Sequence, residues 1–160
     1  MKRIFSVLVE NRTGVLWKVA GLFSRRGFNI NSLAVGETDN NETSMMTILS
    51  DGSPRTLEQI EKQLNKKLDV IKVRTFDENK AVTRELMLIK VKYTKANRRE
   101  IMETCEVMGA EIVDMSESLM MIQICDSPEK IQLLISMLAQ VRIVEVARTG
   151  TLALQKCLED

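Results

Sequence analysis

Residues 11–35 read NRTGVLWKVAGLFSRRGFNINSLAV, and their pattern gives the clearest indication of the fold of the first half of the chain. It begins with a turn around Gly14 and continues into a helical pattern. Apolar residues recur there at i, i+4, i+7 and i+8, which makes one stripe along a helix; they are Val15, Val19, Leu22 and Phe23. Gly27 is suited to end this helix because glycine adopts a positive φ without strain. Residues 28–35 then indicate a strand.

The residues on either side complete a strand–helix–strand–strand–helix–strand unit. An apolar strand at residues 4–9 precedes the turn, and the polar run 36–41 predicts a hairpin to a returning strand at 43–49. Ser53-Pro54 opens a second helix, since serine caps free N–H groups and proline suits the first helical position. A strand at residues 68–76 ends the unit.

The rest of the chain repeats this order. The pattern predicts strands at 86–93, 112–116, 119–124 and 141–147, and helices at 96–108 and 128–138. Gly109 takes the place of Gly27, and Ser127-Pro128 takes the place of Ser53-Pro54. The apolar spacing in the tail, from residue 149 to 160, suggests a short final helix.

We therefore predict the α+β class, with two ferredoxin-like βαββαβ domains. The first spans residues 1–76, a polar linker spans 77–83, and the second domain spans 84–160. The helices of such a unit cover only one face of its sheet. The other face, or an edge strand, is expected to meet another domain or chain, so we expect an oligomer.

The composition argues against several classes of function. The chain has 160 residues and no histidine, which removes Ser–His and Cys–His pairs and the commonest general base near neutral pH. No constellation of lysine or carboxylate side chains takes their place, so we predict no catalytic residue and no enzyme activity. With 23 basic and 22 acidic side chains the net charge is +1, without the basic excess typical of polyanion-binding proteins.

Cysteine usage and hydropathy point to an intracellular protein without a metal site. Cys105, Cys125 and Cys157 form no CxxC pair, and each lies in an apolar context where burial is expected. No apolar run reaches the roughly 18 residues of a transmembrane helix, so no membrane association is expected. The first residues lack the pattern of a secretory signal, and we expect a cytoplasmic location.

The candidate ligand site is the turn at residues 11–16 together with residues 28–31. A strand that passes through a glycine turn into a helix leaves free N–H groups at the helix N-terminus, which can seat a carboxylate. Gly14 lets a ligand approach the backbone closely. Asn11 and Asn29 each offer a donor and an acceptor to an amino acid, and Leu16 and Ile30 could line an apolar pocket.

Two other interpretations remain open on the residues alone. Asn11 and Thr13 can be an ordinary turn residue and a helix N-cap, and Asn29 a turn at the entry to a strand. The order βαββαβ is also that of the RRM, an RNA-binding module, and the sequence at 26–28 partly resembles its strand signature. However, the third strand at 43–49 contains no aromatic residue to stack a base.

At these residues the sequence resembles a known family. The motif Asn-Arg-x-Gly-Val-Leu at 11–16, then Leu-Phe-Ser-Arg-Arg-Gly at 22–27 and Phe-Asn-Ile-Asn-Ser-Leu at 28–33, is similar to an ACT domain. In detail it resembles the start of the bacterial acetolactate (acetohydroxyacid) synthase small subunits. Their length and second ferredoxin-like half extend the resemblance to the whole chain.

The resemblance implies a regulatory role. In this family the small subunit has no active site and no cofactor of its own. It binds and activates a catalytic subunit that carries thiamine diphosphate, FAD and magnesium. It also confers feedback inhibition by a branched-chain amino acid, typically valine.

The resemblance also implies where the effector binds. ACT domains pair side by side as a homodimer, and the ligand lies between the glycine turn of one protomer and the second strand of its partner. This implies effector contacts from Asn11, Gly14, Val15 and Leu16 on one side and from Asn29 and Ile30 on the other. Proline is common before the turn glycine in the family. Here Thr13 stands there, and its hydroxyl is expected to cap the helix instead.

Overall fold

The computed structural model describes residues 1–157. Its first half contains the predicted βαββαβ unit. Its elements are β1 (Lys2–Glu10), α1 (Val15–Arg26), β2 (Ser32–Glu37), β3 (Thr43–Asp51), α2 (Pro54–Asn65) and β4 (Val70–Phe76). The strands form an antiparallel sheet in the order β2-β3-β1-β4, so β2 and β4 are its edges. The predicted fold class is confirmed for this half.

The core of this unit lies between the sheet and its two helices. β1 contributes Phe5, Val7 and Val9, which are almost fully buried. The apolar stripes of the helices cover them; the helical members are Val15, Val19, Leu22, Phe23, Leu57, Ile60 and Leu64. Because side chains alternate along a strand, Ile4 faces the other side of the sheet, where it joins a smaller apolar cluster.

The end of α1 explains why the next strand begins later than predicted. Gly27 ends the helix with a φ of 65°, as expected for a left-handed cap. The N–H of Phe28 then donates to the carbonyl of Phe23 at 2.9 Å, and the two rings pack edge to face. This closure holds residues 28–31 in an irregular link, so β2 starts at Ser32 instead of residue 28.

The second half repeats the architecture. Its elements are β5 (Ala81–Lys92), α3 (Arg98–Met108), β6 (Glu111–Met115), β7 (Leu119–Asp126), α4 (Pro128–Met137) and β8 (Arg142–Arg148). The strand order β6-β7-β5-β8 matches that of the first sheet. Ser53 and Ser127 cap α2 and α4 by accepting a hydrogen bond from the N–H three residues on, which confirms both predicted helix starts.

The tail differs from its prediction. Instead of a helix, it forms a short strand, β9 (Leu152–Gln155), which pairs with β5. Thr151 donates its N–H to Ser32 Oγ at 2.7 Å, and Ala153 is buried with Ile4. The chain divides into two compact units, residues 83–150 and residues 1–82 together with the tail from 151. Leu158, on which the helix prediction partly rested, lies outside the described residues.

Candidate functional site

Asn11 connects the end of β1 to the β2–β3 hairpin. Its backbone N–H donates to the carbonyl of Glu42 at 2.7 Å. Its side-chain Nδ2 donates to Glu37 Oε1 at 3.0 Å and to the carbonyl of Asn41 at 2.8 Å. Three hydrogen bonds therefore fix the position and the orientation of this asparagine, although the residue is exposed.

Gly14, and not Thr13, is the N-cap of α1. Its φ of 86° lies in the left-handed region that favours glycine. No side chain among residues 1–157 caps this helix, so the expectation that the Thr13 hydroxyl would do so is wrong. The N–H of Val15 donates to the carbonyl of Arg12 at 3.3 Å, and the N–H of Lys18 donates to the carbonyl of Gly14. The N–H groups of the two residues between them, at the start of the helix, have no cap and are available to bind an anion.

The first two residues of α1 have different surroundings. Val15 is 2% exposed and belongs to the core, so only its main chain can meet a ligand. Leu16 is 45% exposed and can offer its side chain. Trp17, which the sequence analysis did not single out, is still more exposed.

Asn29 and Ile30 lie in the irregular link before β2. The carbonyl of Asn29 accepts a hydrogen bond from Ser50 Oγ at 2.6 Å, and the residue is exposed. Ile30 is half-buried and packs against the edge of the core. The main chain of this link is therefore held in place while the Asn29 side chain lies at the surface.

Within one chain the two predicted groups lie at opposite ends of the sheet. Through β3, the first residue of β2, Ser32, is aligned with Ile4 at the start of β1. The last residue of β2, Glu37, is aligned with Val9 at the end of β1. At roughly 3.4 Å per residue, the length of β2 separates the Asn29 link from the glycine turn by about 20 Å. One protomer alone does not bring the predicted residues together.

An apolar surface runs along the β2 edge of this unit. Lys18 lies on one flank of α1, and its Nζ donates a hydrogen bond of 2.7 Å to Asp69 Oδ2. Asp69 directly precedes β4, so this flank of α1 is the one on the β4 side. Leu16 and Ala20 lie on the opposite flank, because successive helix residues are rotated by about 100°. Val35 on β2 is 44% exposed. Apolar side chains therefore accompany the open hydrogen-bonding edge of β2.

A polar cleft of about 550 Å³ lies beside Asn11. Its lining combines both signs of charge, and Arg12 Nε lies 3.3 Å from Glu10 Oε2. The other lining residues are Asn11, Asn41, Glu42, Thr43 and Ile71. Of the six predicted site residues only Asn11 borders this cleft, so the cleft is not the complete predicted site.

Glu37 is the site neighbour that the sequence analysis missed. It was assigned only to a hairpin turn, whereas it is the last residue of β2 and the acceptor for Asn11 Nδ2. The contact spans 26 positions in the chain. No local pattern could have indicated it, because the pairing follows from the register of three strands.

The three cysteines differ in their exposure. Cys105 is buried, as predicted, and burial raises the pKa of its thiol. Cys125 and Cys157 are exposed, which contradicts their predicted burial. Cys125 alternates with buried Ile124 along β7 and so faces away from the helices. Over the described part of the chain, no three His, Cys, Asp or Glu side chains gather into a metal-binding group, and no helix is long and apolar enough to cross a membrane.

Comparison with protein families gives two matches that together span most of the chain. Residues 5–72 match the model of the AHAS small subunit-like ACT domain. Residues 84–157 match the model of the small subunit of acetolactate synthase. The RNA-binding alternative gains no support, since β3 carries no aromatic side chain.

Individual relatives are similar over nearly their full length. A probable acetolactate synthase small subunit of Archaeoglobus fulgidus is 45% identical over 96% of this chain and 96% of its own. The isozyme 3 small subunit of Escherichia coli is 41% identical over 98% and 96%. The crystal structure of the acetolactate synthase small subunit from Thermotoga maritima superimposes with a TM-score of 0.92 at 38% identity, covering 99% of both chains.

Proposed function

The chain belongs to the acetolactate synthase small-subunit family, and from that premise we propose that it binds and activates the catalytic subunit and makes it sensitive to inhibition by valine. The observation that supports effector binding most directly is the uncapped start of α1 behind Gly14. A helix N-terminus with free N–H groups attracts a carboxylate by hydrogen bonds and by the helix dipole. The adjacent Asn11 side chain supplies polar contacts for the rest of an amino acid.

The effector site is formed by two protomers. β2 is an edge strand flanked by apolar side chains, which favours pairing with another strand. Antiparallel pairing of two β2 edges places the start of one strand beside the end of the other. The Asn29 link of one protomer then approaches the Asn11 turn of its partner. The two halves of the site come together across the dimer, although within one chain they are about 20 Å apart.

In this homodimer Leu16 and Ile30 from different chains supply the apolar wall for the valine side chain. Leu16 lies on the β2 flank of α1, and Ile30 lies just before β2. Val15 supports the turn from the core and contributes its main chain only. A branched aliphatic side chain suits this wall, because burying it removes apolar surface from water without leaving a polar group unpaired.

The chemistry belongs to the partner. Thiamine diphosphate, FAD and magnesium are bound by the catalytic subunit, and this chain carries no cofactor. With no histidine in its sequence, the chain has no side chain of the kind that most often moves protons near neutral pH. Its three free cysteines fit a reducing compartment, which favours a cytoplasmic location.

Reconstitution tests the proposal. Mixing the purified chain with the catalytic subunit should raise acetolactate formation from pyruvate, and valine should lower it again. The chain alone should form no acetolactate with thiamine diphosphate present. Isothermal titration should detect valine binding to the chain and no binding of single-stranded RNA. Unchanged activity of the catalytic subunit, or turnover by the chain alone, would refute the regulatory function.

A further inference from the structure

The side-chain amide of Asn11 can adopt only one of its two orientations. Nδ2 faces two acceptors, the carboxylate of Glu37 at 3.0 Å and the carbonyl of Asn41 at 2.8 Å. Rotating the amide by 180° would place Oδ1 against both oxygens, and neither of them has a hydrogen to donate. The two acceptors alone therefore determine which terminal atom of the Asn11 amide is the nitrogen.

This orientation determines what Asn11 can offer a ligand. Both Nδ2 hydrogens point to protein acceptors. No described group donates to Oδ1, so this oxygen is the polar atom left for a ligand. A carbonyl oxygen accepts hydrogen bonds, and the ammonium group of an amino acid donates them. The carboxylate group of the same amino acid would be repelled there.

The hairpin that holds Glu37 in place is itself well ordered by hydrogen bonds. Thr38 Oγ1 and Thr43 Oγ1 lie 2.6 Å apart across it, and Asn40 Oδ1 accepts from the N–H of Glu42 at 3.0 Å. Glu37 is the last residue of β2 in this frame. Its carboxylate is therefore presented to Asn11 by a preformed loop, which lowers the entropy lost when a ligand binds.

From this geometry we infer that Glu37 is a positioning residue of the effector site, which holds the Asn11 amide so that Oδ1 receives the effector's ammonium group. The inference rests on the proposed function and deepens it by assigning a direction to the bound amino acid. The carboxylate group lies at the uncapped start of α1, and the ammonium group lies at Asn11. Glu37 acts through Asn11 and needs no contact with the ligand.

Valine titrations of five variants test this role by calorimetry. Glu37→Ala should weaken binding about fivefold to tenfold, the effect of one hydrogen bond that is no longer pre-oriented. Glu37→Gln should stay within about twofold of wild type, because its amide oxygen still accepts from Nδ2. In the Asn11→Ala background, adding Glu37→Ala should cause no further loss. Glu42→Ala is the matched control. It removes a carboxylate that belongs to the same hairpin but does not contact the Asn11 amide, so this variant should bind valine like wild type.

The outcomes separate the inference from the proposed function. If wild type shows no valine binding, the proposed function itself fails. If wild type binds valine and Glu37→Gln loses as much affinity as Glu37→Ala, the charge acts directly on the ligand and the positioning role is wrong. Additive losses for Asn11→Ala and Glu37→Ala would also overturn it. Cooperative unfolding of Glu37→Ala in denaturant, with the rescue by Glu37→Gln, distinguishes positioning from a general loss of structure.

Discussion

Gly14 allows the anion seat at the start of α1 to be tested with one pair of substitutions. A Cβ built at this position meets no atom within 4 Å, so there is room for a small side chain. The φ of 86° disfavours most residues, but asparagine and aspartate tolerate the left-handed region better than others. Both Gly14→Asn and Gly14→Asp should therefore fold.

The two Gly14 variants should differ in their response to valine. The aspartate places a carboxylate where we propose that the carboxylate of the effector binds, and like charges repel. Gly14→Asp should abolish inhibition, whereas the uncharged, similarly shaped Gly14→Asn should keep part of it. Inhibition curves of the reconstituted enzyme give the comparison. Equal valine sensitivity in the two variants would show that no carboxylate binds at this turn.

The sequence allowed these local features to be predicted, but not the contacts between distant residues. A glycine after an apolar stripe predicts a left-handed helix end, because the cause lies within a few residues, and Gly27 has that conformation. Thr13 was given a capping role from its type alone, yet the N-cap falls one residue later. The partnership of Asn11 and Glu37 depends on strand register, which no local pattern determines.

At the scale of secondary-structure elements, the tail shows how the spacing of apolar residues in a strand can be mistaken for that of a helix. Leu152 and Leu154 are exposed and the intervening Ala153 is 5% exposed, which is the alternation of a strand with one face buried. Counting leucines suggested a helix. The correct signal was the small residue between them, since alanine fits where a strand lies close against Ile4 and Phe76.

The ion pair between Glu85 and Arg148 connects β5 with the end of β8. Two parallel hydrogen bonds, of 2.7 and 2.9 Å, join the guanidinium and the carboxylate. Glu85 is 4% exposed, and its hydrogen bond raises the pKa of Arg148. Glu85→Gln removes the opposite charge and replaces one of the two acceptor oxygens with an NH2 group that cannot accept from the guanidinium. We expect a loss of about 2 kcal/mol in the free energy of unfolding.

Denaturant unfolding measures this loss, with Lys62→Ala as the control. Lys62 pairs with Glu58 on the exposed face of α2, where solvent screens the interaction, so the control should unfold like wild type. A Glu85→Gln protein as stable as the control would mean that the buried pair contributes no net stability and that β5 and β8 are held by the sheet alone.

At the scale of the whole molecule, the repeat of one fold was predictable because each unit carries its own local signals. Ser53 and Ser127 cap equivalent helices, and Gly27 and Gly109 end equivalent ones with φ near 65°. The proposed effector site cannot be checked within a single chain, because its two halves lie at opposite ends of the sheet. The proposal that a second copy completes it leads to a specific test.

The proposed shared site predicts complementation between two variants that each bind valine poorly. Asn11→Ala and Asn29→Ala each damage both sites of a homodimer. Asn29→Ala should leave the fold intact, because it is the main-chain carbonyl of Asn29 that binds Ser50. In a mixed dimer, both substitutions fall in one site and the other site is wild type. Random pairing of equal amounts gives half mixed dimers, so about a quarter of the sites should recover full affinity.

Calorimetry on co-refolded mixtures measures the recovered sites. The mixture should show a fraction of sites with wild-type affinity for valine, whereas each variant refolded alone should show none. Mixing Asn11→Ala with the double variant Asn11→Ala/Asn29→Ala is the control, because no pairing of those chains contains an intact site. If each site lay within one chain, the test mixture would bind no better than this control, since a chain with one damaged half cannot be repaired by its neighbour.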